Sequence, residues 1–275
     1  MKRTDGISLY RQQYLQAVQK RERGVIICRI LILILLLGFW ELSTYLGWVD
    51  PFIASSPSRV AATIGRLIAD RSLFVHIGVT LFETVLGFVI GTALGTIAAA
   101  LLWWSPFATR VSDPYLVVLN ALPKIALGPI IIVWIGAGIE SIIVMAVLIS
   151  LIVTIVTVLT GFSAISDEKQ LLMRTLGATK WQIFRLVVLP ASIPTIVAAL
   201  KISVSMSWVG VIVGEYLVSK AGLGYLIVYG GQVFKLDLVM ASIVVLCVLA
   251  AFMYYGVALV EKRLLRQVHH PVKQE

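Results

Sequence analysis

Ionisable side chains set within apolar runs are the residues of this chain best placed to do chemistry. Lys201, Ser205, Trp208, Ile212 and Glu215 recur at intervals of four, three, four and three residues, which puts them on one stripe of a helix. Ser203, Ser207, Gly210 and Gly214 fall roughly opposite, as a small-residue face. Charge at the centre of a bilayer costs roughly 3 kcal/mol or more, so a stripe with Lys201 and Glu215 points to an aqueous cavity or to partner groups. Two plainer placements also fit: Lys201 snorkelling to the nearer interface, and Glu215 at a helix end. Lys124, directly after Pro123 and close to Gly128 and Pro129, marks a broken apolar segment of the kind that lines cavities. Lys124, Lys201, Ser205, Trp208 and Glu215 are the candidate translocation pathway. Glu83 is a further carboxylate in an apolar run, suited to a solute charge or to a local ion pair.

No catalytic set accompanies them. The chain has no glycine-rich loop ending in Gly-Lys-Ser/Thr and no His-Glu-x-x-His, and its short Gly-x-Gly pairs at 136 and 222 lack a strand-to-helix setting. We therefore expect a non-enzymatic chain without a cofactor of its own. Nucleotide chemistry would come from another chain.

The most informative polar segment is 171–190, LLMRTLGATKWQIFRLVVLP. Ser166 can cap a helix whose first turn carries Asp167 and Glu168, and Gly177 supplies the left-handed residue that ends it. Thr179 with Gln182 three residues on forms a capping box, so a second short helix starts at once, with Trp181 and Phe184 on one side and Lys180 and Arg185 elsewhere. Pro190 and Pro194 mark entry into the next apolar run. The pattern fits a docking element for a soluble partner, and also an ordinary loop with an interfacial helix.

The elements that must position these residues are apolar helices. Of 275 residues, 59% are hydrophobic, the mean hydropathy is +0.97, and several runs approach the roughly 20 residues needed to span a bilayer. Spans are predicted at 25–46, 78–103, 115–135, 141–162, 191–213 and 238–260, making an all-α polytopic membrane protein with about six transmembrane helices. We divide the chain into a basic cytoplasmic tail (1–24), a first transmembrane helix (25–47), an extracytoplasmic segment (48–74), a transmembrane core (75–260) with its polar loop at 164–190, and a second cytoplasmic tail (261–275). Gly87, Gly91 and Gly95, continued by Ala99, form a ridge for close helix packing. Basic residues concentrate in the segments that are inside if both termini are cytoplasmic. The net charge of +9 thus reads as topology and attraction to anionic lipid, with no basic aromatic groove for nucleic acid. Cys28 and Cys247 lie singly within spans and read as packing residues, while His76, His269 and His270 read as solvated side chains, with no metal site.

Gly177 followed by Val187, Leu189 and Pro190 resembles the cytoplasmic E-A-A loop of ABC importer permeases. The Glu-Ala-Ala triplet itself falls on Leu171, Leu172 and Met173, and Glu168 is the nearest carboxylate. Residues 51–57 (PFIASSP), 113–138 with LPKIALGPIIIVWIGAG, and 221–225 (AGLGY) are similar to the nitrate/sulfonate/taurine branch. In that branch Glu83 falls where a basic residue is frequent. The resemblance implies a type I importer transmembrane domain in the plasma (inner) membrane and two cytoplasmic ATPase subunits. It also implies an extracytoplasmic solute-binding protein and a second permease, identical or homologous. Leu172, Gly177, Ala178, Thr179, Trp181, Phe184, Arg185 and Pro190 would then form the ATPase-coupling loop. The solute would be a small anion of the sulfonate, nitrate or taurine type, or a heterocyclic vitamin precursor of the kind the branch also carries. Apart from the resemblance, the intramembrane Lys and Glu also fit a secondary transporter that uses them for ion coupling.

Overall fold

The computed structural model describes residues 9–268, so His269, His270 and Lys273 lie outside the described residues. The chain divides into two compact units between residues 63 and 64. In the first, α1 (Leu9–Tyr45) is a single helix. The basic residues before position 25 thus continue the same helix as the apolar run. The PFIASSP segment folds back on the end of α1. Asp50 accepts the Phe52 N–H at 2.8 Å to start α2 (Pro51–Ala54). Trp40 Nε1 donates to the Ala54 carbonyl, and Glu41 accepts both the N–H and the hydroxyl of Ser58, at 3.0 and 2.7 Å. α3 (Pro57–Ala69) follows.

The second unit is built on three long helices, α4 (Ser72–Trp104), α7 (Ile139–Ser163) and α10 (Leu189–Val218). Asp70 opens α4 by accepting the Ser72 N–H and hydroxyl, which hold its carboxyl below the usual carboxylate range. α7 lies between the other two. Gly87 faces Ala146, Gly91 faces Ser150 and Gly95 faces Thr154, while from the other side Gly210 meets the Ala146 backbone and Gly214 meets Ile142. Such small-residue contacts let backbones approach where no hydrophobic driving force separates helix from lipid. Thr154 and Ser203 share a hydrogen bond of 2.6 Å across the α7–α10 seam, and Ser192 donates to the Gly161 carbonyl at 3.2 Å.

The third predicted span is broken. α5 (Pro106–Ala121) and the segment Lys124–Ile135, which ends in α6 (Gly128–Ile135), meet at 88°. Leu122, forced to extended ψ 133 before Pro123, makes the corner. After α7 come α8 (Asp167–Thr175), α9 (Lys180–Ile183), a π turn (Phe184–Val188), α10, α11 (Leu223–Gln232) and α12 (Leu236–Val268). No sequence signal announces the π turn. Pro190 has no N–H to donate and its ring crowds the preceding turn, and the helix widens just before it, with the Leu189 N–H reaching back to the Phe184 carbonyl. α9, the π turn and α10 therefore run as one 39-residue segment. Among the described residues, five helices are long and apolar enough to cross a membrane, and the bent pair makes six.

Candidate functional site

The 164–190 loop is anchored by its aromatic side. Phe184 is buried in a cluster with Phe162, Leu159, Ile183 and Val188, and its ring lies 5.1 Å from Trp103 and 5.5 Å from Phe162. Phe184 therefore secures the loop to the bundle and is not part of a presented face. Lys180 reaches the last carbonyl of α4, donating to Trp104 at 2.6 Å while lying over the Trp103 and Trp104 rings. A cation at a helix C-terminus is electrostatically favoured, and the indole faces add to it. Sequence reasoning missed this contact because its partners are 76 residues apart.

The corner is local and is built as its residue types dictate. Gly177 has φ +79, the Ala178 N–H returns to the Met173 carbonyl at 3.0 Å, and both arms of the Thr179–Gln182 capping box are made. Ser166 occupies the cap position of α8 but makes no side-chain cap bond. Leu171, Leu172, Leu176, Trp181 and Arg185 are exposed, Met173 and Ala178 pack partly into the cluster, and Pro190 is half-buried. The exposed leucines and Trp181 give the corner an apolar rim with an arginine beside it.

The five pathway candidates do not converge. Lys124 donates to the Asn120 carbonyl at 2.9 Å, capping the end of α5. Lys201 forms an ion pair with Glu261 of α12 and lies over the Tyr254 ring. Ser205 is exposed, whereas Trp208 and Glu215 are buried, at 5% and 1% exposure. The stripe is thus not one wet face: Trp208 and Glu215 turn into the bundle. Glu83, 1% exposed, is hydrogen-bonded to Glu215, so the basic partner of a local ion pair is replaced by a second carboxyl. His76 is not merely solvated, since its Nδ1 accepts the Gly222 N–H at 3.0 Å. Cys28 and Cys247, expected to pack inside, are both exposed. No group of three metal-ligating side chains occurs among the described residues.

Two cavities adjoin these elements. One of about 490 Å³ lies between α5 and α7, lined by Thr109, Asp113, Asn120, Thr160 and Ser163 among others. The other, about 310 Å³, is lined by Glu83, Gly138, Ile142, Ser219 and Lys220.

The long apolar helices, the broken span and the anchored polar loop define a polytopic helical membrane protein, and comparison with known proteins gives its family. Residues 91–266 match the family of binding-protein-dependent transport system inner membrane components, and the chain belongs to it, as an ABC transporter permease. It is 28% identical to the putative aliphatic sulfonates transport permease protein SsuC of Bacillus subtilis, over 84% of each chain. It is 30% identical to the formylaminopyrimidine transport permease protein ThiX of Halalkalibacterium halodurans, over 71% of this chain and 77% of that one. The fold matches an inward-facing structure of the MetNI methionine ABC transporter with a TM-score of 0.61 at 22% identity, covering 72% of this chain and 96% of the other.

Proposed function

We propose that this chain forms the translocation path of an ATP-driven importer and couples to separate ATPase subunits through the loop at 164–190. Both termini are then cytoplasmic, a second permease completes the path, and a soluble binding protein delivers solute from the opposite side. The observation that carries this reading is the loop itself, whose exposed Leu172, Leu176, Trp181 and Arg185 sit on a corner tied to α4 by Lys180 and to the core by Phe184. Closure of an ATPase pair against the rim would pass through this anchor into α4 and α10. The purified chain should hydrolyse no ATP alone and should acquire hydrolysis on co-assembly with its ATPase. Robust turnover by the isolated chain would overturn the reading.

For the solute we propose a small anion of the sulfonate type. A second reading, a heterocyclic vitamin precursor, is favoured by the engagement of Lys124 and Lys201 with other groups and by the carboxylates, Asp113 and Glu83, that line the two cavities. Calorimetry of the partner binding protein with an alkanesulfonate and with a formylaminopyrimidine separates the two, because only one should bind tightly.

The exposed side of α10 is expected to meet water in the assembled path. On a background without Cys28 and Cys247, Ser205→Cys should react with a membrane-impermeant thiol reagent in a nucleotide-dependent manner. Ser203→Cys, Ser207→Cys and Trp208→Cys should be protected. Equal labelling of all four would contradict the packing of α10 against α7.

A further inference from the structure

Among the described residues, Glu83 and Glu215 are the two buried carboxyls of the bundle, and they meet where α4 crosses α10. Each is 1% exposed, and each is hydrogen-bonded to the other. A hydrogen bond between two carboxyl groups requires a hydrogen on one of them, since ionised carboxylates only accept. The surroundings say which. Glu215 accepts the Thr80 hydroxyl at 2.6 Å, the Gly224 N–H at 2.5 Å and the Tyr225 N–H. The last two amides belong to the first turn of α11, where negative charge is favoured by the helix end. Glu215 is therefore the carboxylate. Glu83 is the acid, and its Oε2 is buried with no partner.

The pair joins two parts of the chain that nothing covalent holds near one another. Thr80 donates to Glu215 and in turn accepts the Leu223 N–H at 2.8 Å. With the Gly222 N–H on His76, four successive amides of the α10–α11 turn are held by side chains of α4 and by Glu215. Glu83 also lines the 310 Å³ cavity together with Ser219, Lys220 and Ala221 of that turn. We propose that the single proton shared by Glu83 and Glu215 latches α4 to the 219–225 turn, and that loss of this proton releases the turn. Two carboxylates within hydrogen-bond reach and away from water repel strongly, and no cation is among the groups bonded to either one.

The other ionisable groups nearby do not substitute for the proton. Lys220 lines the same cavity but is exposed, as are Tyr216 beside Glu215 and Glu140 at the start of α7. Tyr225 of α11 stacks on His76. His76 accepts through Nδ1 and so carries no proton there; protonating it would loosen the turn on the acid side, and that effect persists when Glu83 is replaced.

The latch bears on transport only if the permease reading holds, but its test needs neither ATPase nor solute. The full chain, without Cys28 and Cys247 and carrying Ala221→Cys, is reconstituted in lipid vesicles and labelled with a membrane-impermeant thiol reagent across a pH series. Rates are divided by those of the same cysteine in the Glu83→Gln chain, which cancels thiol ionisation. Glu83→Gln keeps a donor toward Glu215 at every pH. A minor open state is populated at roughly 0.1–10%, so release should raise the ratio by about ten-fold or more as pH rises. Infrared spectra should show a protonated-carboxyl band that Glu83→Gln removes, and Glu83→Lys, which places a permanent cation beside Glu215, should give pH-independent protection. A flat ratio, or an unchanged band in Glu83→Gln, would overturn the proposal. So would protection that follows Na⁺ or K⁺ at fixed pH, because a metal cation would then hold the proton's place.

Discussion

Replacing Gly210 with valine is expected to prevent recovery of a folded chain from the membrane. A Cβ at this position would stand 2.5 Å from Ala146 Cα and 3.0 Å from its nitrogen. These are backbone atoms, which cannot swing aside as a side chain can. Overpacking costs typically about 1–3 kcal/mol where side chains yield, and here α10 would have to move off α7 along a seam that also carries the Thr154–Ser203 bond and the Gly214–Ile142 contact. Alanine should already lower the melting temperature in detergent. Gly78→Ala, in α4 with nothing near its Cβ direction, should be neutral or slightly stabilising through helix propensity. Equal thermal stability of Gly210→Val and Gly78→Ala would mean that α7 and α10 do not pack as described.

How far the sequence could be read follows from the range of each interaction. The Gly177 corner and the Thr179–Gln182 box were legible because each closes within five residues, and the Gly87, Gly91 and Gly95 ridge because helical spacing alone puts small residues on one line. Periodicity could not say which line faces what. α10 has little hydrophobic asymmetry about its axis, so Lys201, Ser205, Trp208 and Glu215 shared a stripe in sequence while their partners, Glu261 on α12 and Thr80 and Glu83 on α4, stayed invisible. The same limit hid the burial of Phe184, which depends on Trp103 and Phe162. The broken third span is a different case. Pro123 signalled a break, but the 88° bend depends on how the following segment packs, with Gly128 set against Met145 of α7 and Leu217 of α10.

Gly177→Val should leave the bundle intact and uncouple it. The left-handed φ of +79 is a conformation that valine adopts only with strain, on the order of 1–3 kcal/mol. No atom lies within 4 Å of the Cβ direction, so the penalty is one of backbone alone. It falls on an exposed residue, whereas the bundle is held by α4, α7 and α10. The loop can relieve the strain by giving up the Gly177 N–H to Arg174 and Ala178 N–H to Met173 bonds, and that swings α8 with Leu171, Leu172 and Leu176 away from α9. Phe184 and Lys180 stay anchored, so the rim loses one half of its surface while the other stays in place. Since about 1.4 kcal/mol is a factor of ten in an equilibrium, the correctly shaped loop should fall by roughly five-fold to a hundred-fold. Gly177→Asn should be mild because asparagine tolerates this region, and Gly177→Ala should lie between. Solute uptake by vesicles containing the permease, its ATPase and its binding protein should follow that order, with ATPase association weakened or hydrolysis continuing without uptake. Transport by Gly177→Val at the parental rate, with normal ATPase association, would show that force does not pass through this corner.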